Sequence, residues 1–247
     1  MSLSLETRFD TIIEQLDTHI LSAARVYPLL DLTRLDEAAL AEDIDALVAK
    51  AQQEHVAAVC VFPQHLAWIP SLEAIQRATV VNFPTGNGVH EQVLRDIEHA
   101  IHQQQADEID YVFAYPAYLA GQKSHALAWC REAYALCQQQ GRLFKVILET
   151  GALHSVDMIY QLSCEVIETG CDMLKTSTGK INIGASLQAV FAMLSAIKDS
   201  QGSCGIKISG GIKTLAQASA YIHLSEQMLD QAVAKSWFRI GASQISG

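Results

Sequence analysis

The feature that most constrains the fold is a rhythm. Short apolar, β-branched or aromatic runs recur at residues 27–32, 56–63, 78–84, 108–115, 143–150, 172–179, 205–211 and 237–243. Between them lie stretches with a helical spacing of apolar residues, at 40–54, 88–105, 124–140, 155–169, 186–200 and 214–223. A short segment at 65–76 fills the second strand-to-helix position and has the weakest pattern. Eight strand candidates, each followed by a helix, predict α/β architecture as a single (β/α)8 TIM barrel, with a short N-terminal helix where charges mix into the opening residues. An open doubly wound sheet fits less well, because no G-x-G-x-x-G follows the first run. No Pro, Gly or Ser-rich linker divides the 247 residues, so one domain over 1–247 is expected.

Composition narrows the partners. The 17 Lys and Arg against 27 Asp and Glu give a net charge of -10, the wrong sign for a nucleic-acid backbone or an anionic lipid surface. A small anionic substrate stays possible, since a locally basic pocket can sit in an acidic protein. No apolar run approaches the ~20 residues of a membrane span, and a cytoplasmic protein is expected. The six cysteines (60, 130, 137, 164, 171 and 204) form no C-x-x-C pair and read as reduced, packed thiols. The nine histidines show no metal-ligand spacing; His99 and His102 share a helix face that reads as surface, so neither metal nor cofactor is expected.

In such barrels chemistry sits at the C-terminal ends of the strands. The polar residues there are Asp31, Thr33, Cys60, Asn82, Asp110, Glu149, Lys175, Thr176, Ser177, Lys207, Ser209 and Ser243. Three of the nine lysines, Lys145, Lys175 and Lys207, fall inside strand-like runs, where a buried ammonium is costly unless paired or neutralised. A lone lysine of this kind is most often salt-bridged. Two at the ends of neighbouring strands would each lower the other's pKa, making a neutral, nucleophilic amine attainable near pH 7. Asp110, at the end of the fourth run, suits proton transfer. Small residues recur in the loops after runs six to eight: Thr178-Gly179-Lys180, Gly210-Gly211 and Gly241-Ala242-Ser243. Such loops let backbone N–H groups approach a phosphate. By itself Cys60 reads as a packed hydrophobe, Glu149 as an ion-pair partner for Lys145, and Asn82 as a tie for a loop at the mouth.

The segments DLTRL, VVNFPTGN, EIDYVFAYPAYLAGQ, KVILETGAL, LKTSTGKINIGAS, GIKISGGIKT and RIGAS closely resemble the 2-deoxyribose-5-phosphate aldolase family, in the family's order from Asp31 to Ser243. The resemblance implies a class I aldolase, free of metal and cofactor, that cleaves 2-deoxy-D-ribose 5-phosphate to acetaldehyde and D-glyceraldehyde 3-phosphate and reverses the reaction. It implies Lys175 as the Schiff-base lysine, Lys207 as the residue that tunes it and relays protons, and Asp110 as the acid-base group. It also implies substrate contacts at Asp31, Thr33, Cys60 and Thr178, and phosphate contacts at Gly179, Lys180, Gly210, Gly211 and Ser243. The partner is a small phosphorylated sugar with acetaldehyde, in a chain that could form a homodimer.

The resemblance has departures. KISGG and Ser243-Gln244 differ from the usual phosphate loops and bear on phosphate affinity. The sequence ends at Ile245-Ser246-Gly247 without the tyrosine-ending tail of some relatives, and slower proton exchange at the enamine is the expectation. Two other readings compete: a transaldolase-like or keto-acid Schiff-base enzyme, and a non-catalytic sugar-phosphate-binding barrel. Acetaldehyde as donor separates the first; retention of Lys175, Lys207 and Asp110 together argues against the second.

Overall fold

The computed structural model describes residues 4–202 and 204–246. Eight parallel strands close into a barrel in sequence order: β1 (Leu30–Arg34), β2 (Ala58–Val61), β3 (Gln76–Val81), β4 (Glu108–Val112), β5 (Leu143–Ile147), β6 (Met173–Lys175), β7 (Gly205–Ser209) and β8 (Phe238–Ala242). The helices are α1 (Leu5–Glu14), α2 (Ala23–Val26), α3 (Ala41–Glu54), α4 (His90–His102), α5 (Tyr115–Leu119), α6 (Lys123–Gln139), α7 (Val156–Thr169), α8 (Leu187–Ser200) and α9 (Leu215–Leu229). The expected barrel and N-terminal helix are both present; α1 packs Phe9 against Phe191 of α8, with ring centroids 5.5 Å apart.

Two of the departures from the sequence reading have a clear local reason. Residues Tyr27–Leu29 form a 3-10 turn rather than the start of β1, because Pro28 has a fixed φ and no N–H for a strand ladder. The strand therefore runs to Arg34 and carries Thr33 within it. After β2 the chain makes a 3-10 segment, Pro63–Trp68, in place of an α-helix. Helices α7, α8 and α9 begin on Ser155, Ser186 and Thr214, whose side chains accept a backbone N–H from the first turn.

Two kinds of interior result. Outward-facing strand residues such as Leu30, Leu32, Val59, Ile109, Phe144, Val146, Leu174, Ile206 and Ile240 pack against the helices in one continuous apolar core. Inside the barrel a small apolar cluster, Ala58, Cys60, Ala78 and Val80, sits beside a set of buried charged side chains. Chain beyond β8 folds over the loop after β7: Ser246 N–H donates to Lys213 O at 2.9 Å, and Leu215 N–H donates to Ser246 O at 2.9 Å.

Stability should reside mainly in the outer layer. Phe191 of α8 is fully buried there, so Phe191→Ala is expected to cost about 3–5 kcal/mol. Urea unfolding checks this, and a loss under about 1 kcal/mol would contradict the placement of the core.

Candidate active site

Parallel register brings the basic residues of the last strands side by side. Lys175 of β6 pairs with Lys207 of β7, and Lys207 pairs with Arg239 of β8. On the neighbouring side, Asp110 of β4 pairs with Lys145 of β5. Residues spaced by two along a strand share a face, so Glu108 joins Asp110 inside the barrel. Asp31 enters from β1.

The seven side chains form one buried ion cluster. Asp110 accepts from three lysines: Lys145 Nζ lies 2.8 Å from Oδ1, while Lys175 Nζ and Lys207 Nζ each lie 2.7 Å from Oδ2. Lys207 Nζ also stands 2.6 Å from Asp31 Oδ2. Lys145 Nζ reaches Glu108 Oε2 at 2.5 Å and Asp31 Oδ2 at 3.4 Å. Arg239 spans Asp31 Oδ1 at 2.6 Å and Glu108 Oε1 at 3.0 Å. Gly241 makes the room: a Cβ there would sit 2.9 Å from Ser209 Cβ and 3.1 Å from Lys207 Cε.

The electrostatics separate the lysines. Burial lowers the Lys175 pKa, Asp110 resists, and Lys207 adds to the lowering, leaving it below its ordinary value. Burial acts on Lys207 in the same sense, but Asp110 and Asp31 outweigh it and its pKa is raised. The expected mutual lowering is therefore corrected: only Lys175 moves down, because Lys207 lies against two carboxylates, Asp31 and Asp110, and Lys175 against Asp110 alone. Lys145 is likewise raised, its carboxylates overcoming burial. Burial works against ionisation of Asp110 and Asp31 as well, yet the surrounding cations hold both carboxyls below the usual range.

Above the cluster opens a cavity of about 310 Å³ lined by Thr33, Lys175, Thr178, Gly179, Lys180, Ser209, Gly210, Gly211, Lys213 and Ser243, among others. Gly179, Gly210 and Gly211 have φ of 76°, 100° and 86°, a region that favours glycine and lets the backbone itself face the cavity. A Cβ on Gly184 would collide with Gly210 O, so the loops after β6 and β7 interlock through glycine. Ser209 Oγ donates to Ser177 O at 2.6 Å, and Thr176 Oγ1 to Ser209 O at 2.8 Å, tying the same loops.

The residues singled out from the sequence thus divide. Lys175, Thr33, Thr178, Gly179, Lys180, Gly210, Gly211 and Ser243 share the cavity wall. Asp110 and Lys207 lie directly beneath, in contact with Lys175 or its carboxylate. Asp31 and Cys60 are fully buried and absent from that wall; Asp31 is a member of the ion cluster, and burial pushes the Cys60 thiol up. Glu149 is not the partner of Lys145. It adopts a left-handed φ of 53°, which aims its carboxylate at Thr178, accepting from that residue's hydroxyl and from its N–H at 3.3 Å. Asn82 does tie the mouth, donating to Val112 O at 2.9 Å and accepting from Gly88 N–H at 2.8 Å. Sequence reasoning missed Glu108, Arg239 and Lys213. The period-two spacing of Glu108 and Asp110, and an arginine between apolar residues in FRIG, were the available signals. Among the described residues no group of three or more His, Cys, Asp and Glu side chains is arranged to hold a metal ion, and no helix is long and apolar enough to cross a membrane.

A (β/α)8 barrel with a lysine poised between a buried carboxylate cluster and a glycine-walled cavity has the architecture of an aldolase that works through an amine. The model of the DeoC/LacD family aldolases matches residues 27–243, and the chain belongs to that family. A deoxyribose-phosphate aldolase from Agrobacterium fabrum (strain C58 / ATCC 33970) is 38% identical over 231 residues, 91% of this chain and 88% of that protein. Among solved structures, QR15, an aldolase, superposes with a TM-score of 0.76 at 26% identity, covering 88% of this chain and 91% of its own. A deoxyribose phosphate aldolase from Aeropyrum pernix, described as a unique tetramer, gives 0.76 at 24% identity over 98% and 94% of the two chains, a likeness of fold.

The cluster has a stability consequence with a definite sign. Asp31 and Asp110 titrate lower in the folded chain than unfolded, so their contribution is full above about pH 4 and is lost as pH falls below it. Asp31→Asn leaves Lys207 and Arg239 short of a buried partner and should cost about 3–5 kcal/mol at pH 7. It should also flatten the acid branch of the stability curve. Urea unfolding of both proteins at neutral and acid pH tests this; equal stability at pH 7 would contradict it.

Proposed function

We propose that this chain is a class I aldolase that reversibly cleaves 2-deoxy-D-ribose 5-phosphate to acetaldehyde and D-glyceraldehyde 3-phosphate. The observation that carries the reading is that Lys175, alone of the seven cluster residues, reaches the cavity, and that its pKa is lowered. The 38% identity to the Agrobacterium enzyme supports the substrate.

The chemistry follows from those positions. The neutral Lys175 amine attacks the aldehyde carbon C1 of the open-chain sugar, and loss of water leaves a protonated imine. Removal of the proton from the C3 hydroxyl lets the C2–C3 bond break; its electron pair moves to C2 and on towards the iminium nitrogen. The C3 fragment departs as an aldehyde, D-glyceraldehyde 3-phosphate. The enamine left on Lys175 takes a proton at C2, and water releases acetaldehyde.

Asp110 and Lys207, in contact with Lys175 or its carboxylate, form the proton reservoir for these transfers. Thr33 and Thr178 face the substrate carbons. Lys180 with the Gly179, Gly210, Gly211 and Ser243 backbone holds the phosphate, and Lys213 adds a second positive charge to that wall. Binding through the phosphate fixes the distance from the reacting carbons, and that is how affinity becomes rate.

Two measurements test the reading. Borohydride reduction in the presence of acetaldehyde should leave an ethyl group on the peptide that contains Lys175 and none in Lys175→Ala; a folded wild-type chain without the adduct would overturn the mechanism. Lys180→Ala should raise KM for 2-deoxyribose 5-phosphate about 10-fold or more, the loss of one charge-assisted bond, while cleavage of unphosphorylated 2-deoxyribose changes little. Equal effects on the two sugars would remove Lys180 from the phosphate site.

A further inference from the structure

The buried cluster holds four basic side chains, Lys145, Lys175, Lys207 and Arg239, against three carboxylates, Asp31, Glu108 and Asp110. With every group charged it carries one positive charge too many, in a place where uncompensated charge is expensive. Losing one proton restores balance. Arginine does not give its proton up, so the loss falls on a lysine.

The contacts select which one. Lys145 faces three carboxylates at 2.5, 2.8 and 3.4 Å, Lys207 faces two at 2.6 and 2.7 Å, and Lys175 faces one at 2.7 Å that it shares with both other lysines. We infer that Arg239 is a positioning residue for the amine chemistry: by holding Asp31 and Glu108 with a guanidinium that stays charged, it leaves the cluster one positive charge in excess and assigns the missing proton to Lys175. The inference rests on the Schiff-base reading of Lys175.

Arg239 is itself fixed in place. Its Nε donates to Lys235 O at 2.5 Å, and its other nitrogens lie on Asp31 and Glu108. The charged groups around it are Asp31 from β1, Glu108 from β4, Lys145 from β5 and Lys207 from β7. Around Lys175 stand Asp110 from β4, Lys207 from β7, the Cys60 thiol from β2 and Glu149 beyond β5. Neither of the last two belongs to the ion-paired seven. Burial pushes the Cys60 thiol up, so it is neutral, and burial likewise raises the Glu149 carboxyl, which is bonded to Thr178 and forms no ion pair with the cluster.

Charge balance makes predictions of opposite sign for two residues on the same hydrogen bond. Removing the guanidinium in Arg239→Met leaves three lysines against three carboxylates, so Lys175 keeps its proton. Removing a carboxylate in Glu108→Gln leaves a surplus of two, so Lys175 gives up its proton more readily. The double variant Arg239→Met/Glu108→Gln returns the surplus to one. The readout is the rate at which acetaldehyde with cyanoborohydride alkylates Lys175 in the full-length chain, followed by peptide mass mapping from acid to alkaline pH, with circular dichroism confirming the fold.

The expected result is an Arg239→Met midpoint at least about one pH unit above wild type, with labelling at pH 7 reduced roughly tenfold. Glu108→Gln should lie below wild type, and the double variant near it. Midpoints that stay put, or that shift the same way in both single variants, would overturn the inference and leave Arg239 a structural residue. Should Arg239→Met not fold, the near-isosteric Glu108→Gln and the double variant still decide the sign. Wild-type protein that is never alkylated at Lys175 would instead overturn the Schiff-base reading.

Discussion

The structure depends on putting a salt-bridged cluster where a barrel ordinarily keeps its branched aliphatic layers. Seven ionisable side chains leave water together, and their mutual attraction offsets that loss only because every oxygen has a cation within reach. The rest of the interior accommodates this demand. Ala58, Ala78, Gly205 and Gly241 keep the inner face narrow, so that long lysine and arginine chains fit within a closed eight-stranded sheet. The cohesion that the inside gives up is supplied outside, where strand residues pack on α7, α8 and the other helices in a continuous apolar layer.

That division separates stability from chemistry in space. The cluster spends no apolar burial on holding the barrel shut, and the loops above it are set by glycine geometry and short hydroxyl bonds rather than by packing. Lys175 is the link between the two. It ends the three-residue strand β6, so the chain turns away directly after it and its amine has the cluster on one side and the cavity on the other. Lys145 and Lys207 have the same chemistry available in principle, but both are sealed from the cavity and held charged by more carboxylate than Lys175 sees.

How much of this was legible in the sequence follows from what each signal measures. Alternation of short apolar runs with helical stretches reports local burial, and in this chain it located all eight strands within a few residues; Pro28 and the 3-10 turn after β2 are where local backbone chemistry overrode the pattern. Lysines inside apolar runs flagged the site because a buried ammonium demands an explanation. What the pattern could not give was the pairing across the barrel. Glu149 and Lys145 share a strand run, which suggested that they were partners, but the carboxylate turns outward to Thr178 and Lys145 looks across to β4 and β1. The partners of Arg239 were hidden for the same reason, since they lie 131 and 208 residues away.

The charge of the whole chain also misleads when read as a property of the site. A net charge of -10 describes the surface, where exposed charges are screened within about 8–10 Å at physiological salt. The cavity instead has Lys180 and Lys213 on its wall, above a cluster whose charges balance once Lys175 has lost a proton. An acidic protein can therefore hold a phosphorylated sugar without contradiction. The surplus in the cluster is relieved when Lys175 gives up its proton, while Lys180 and Lys213 keep their charge for the phosphate, so amine activation and anion capture rest on separate cations.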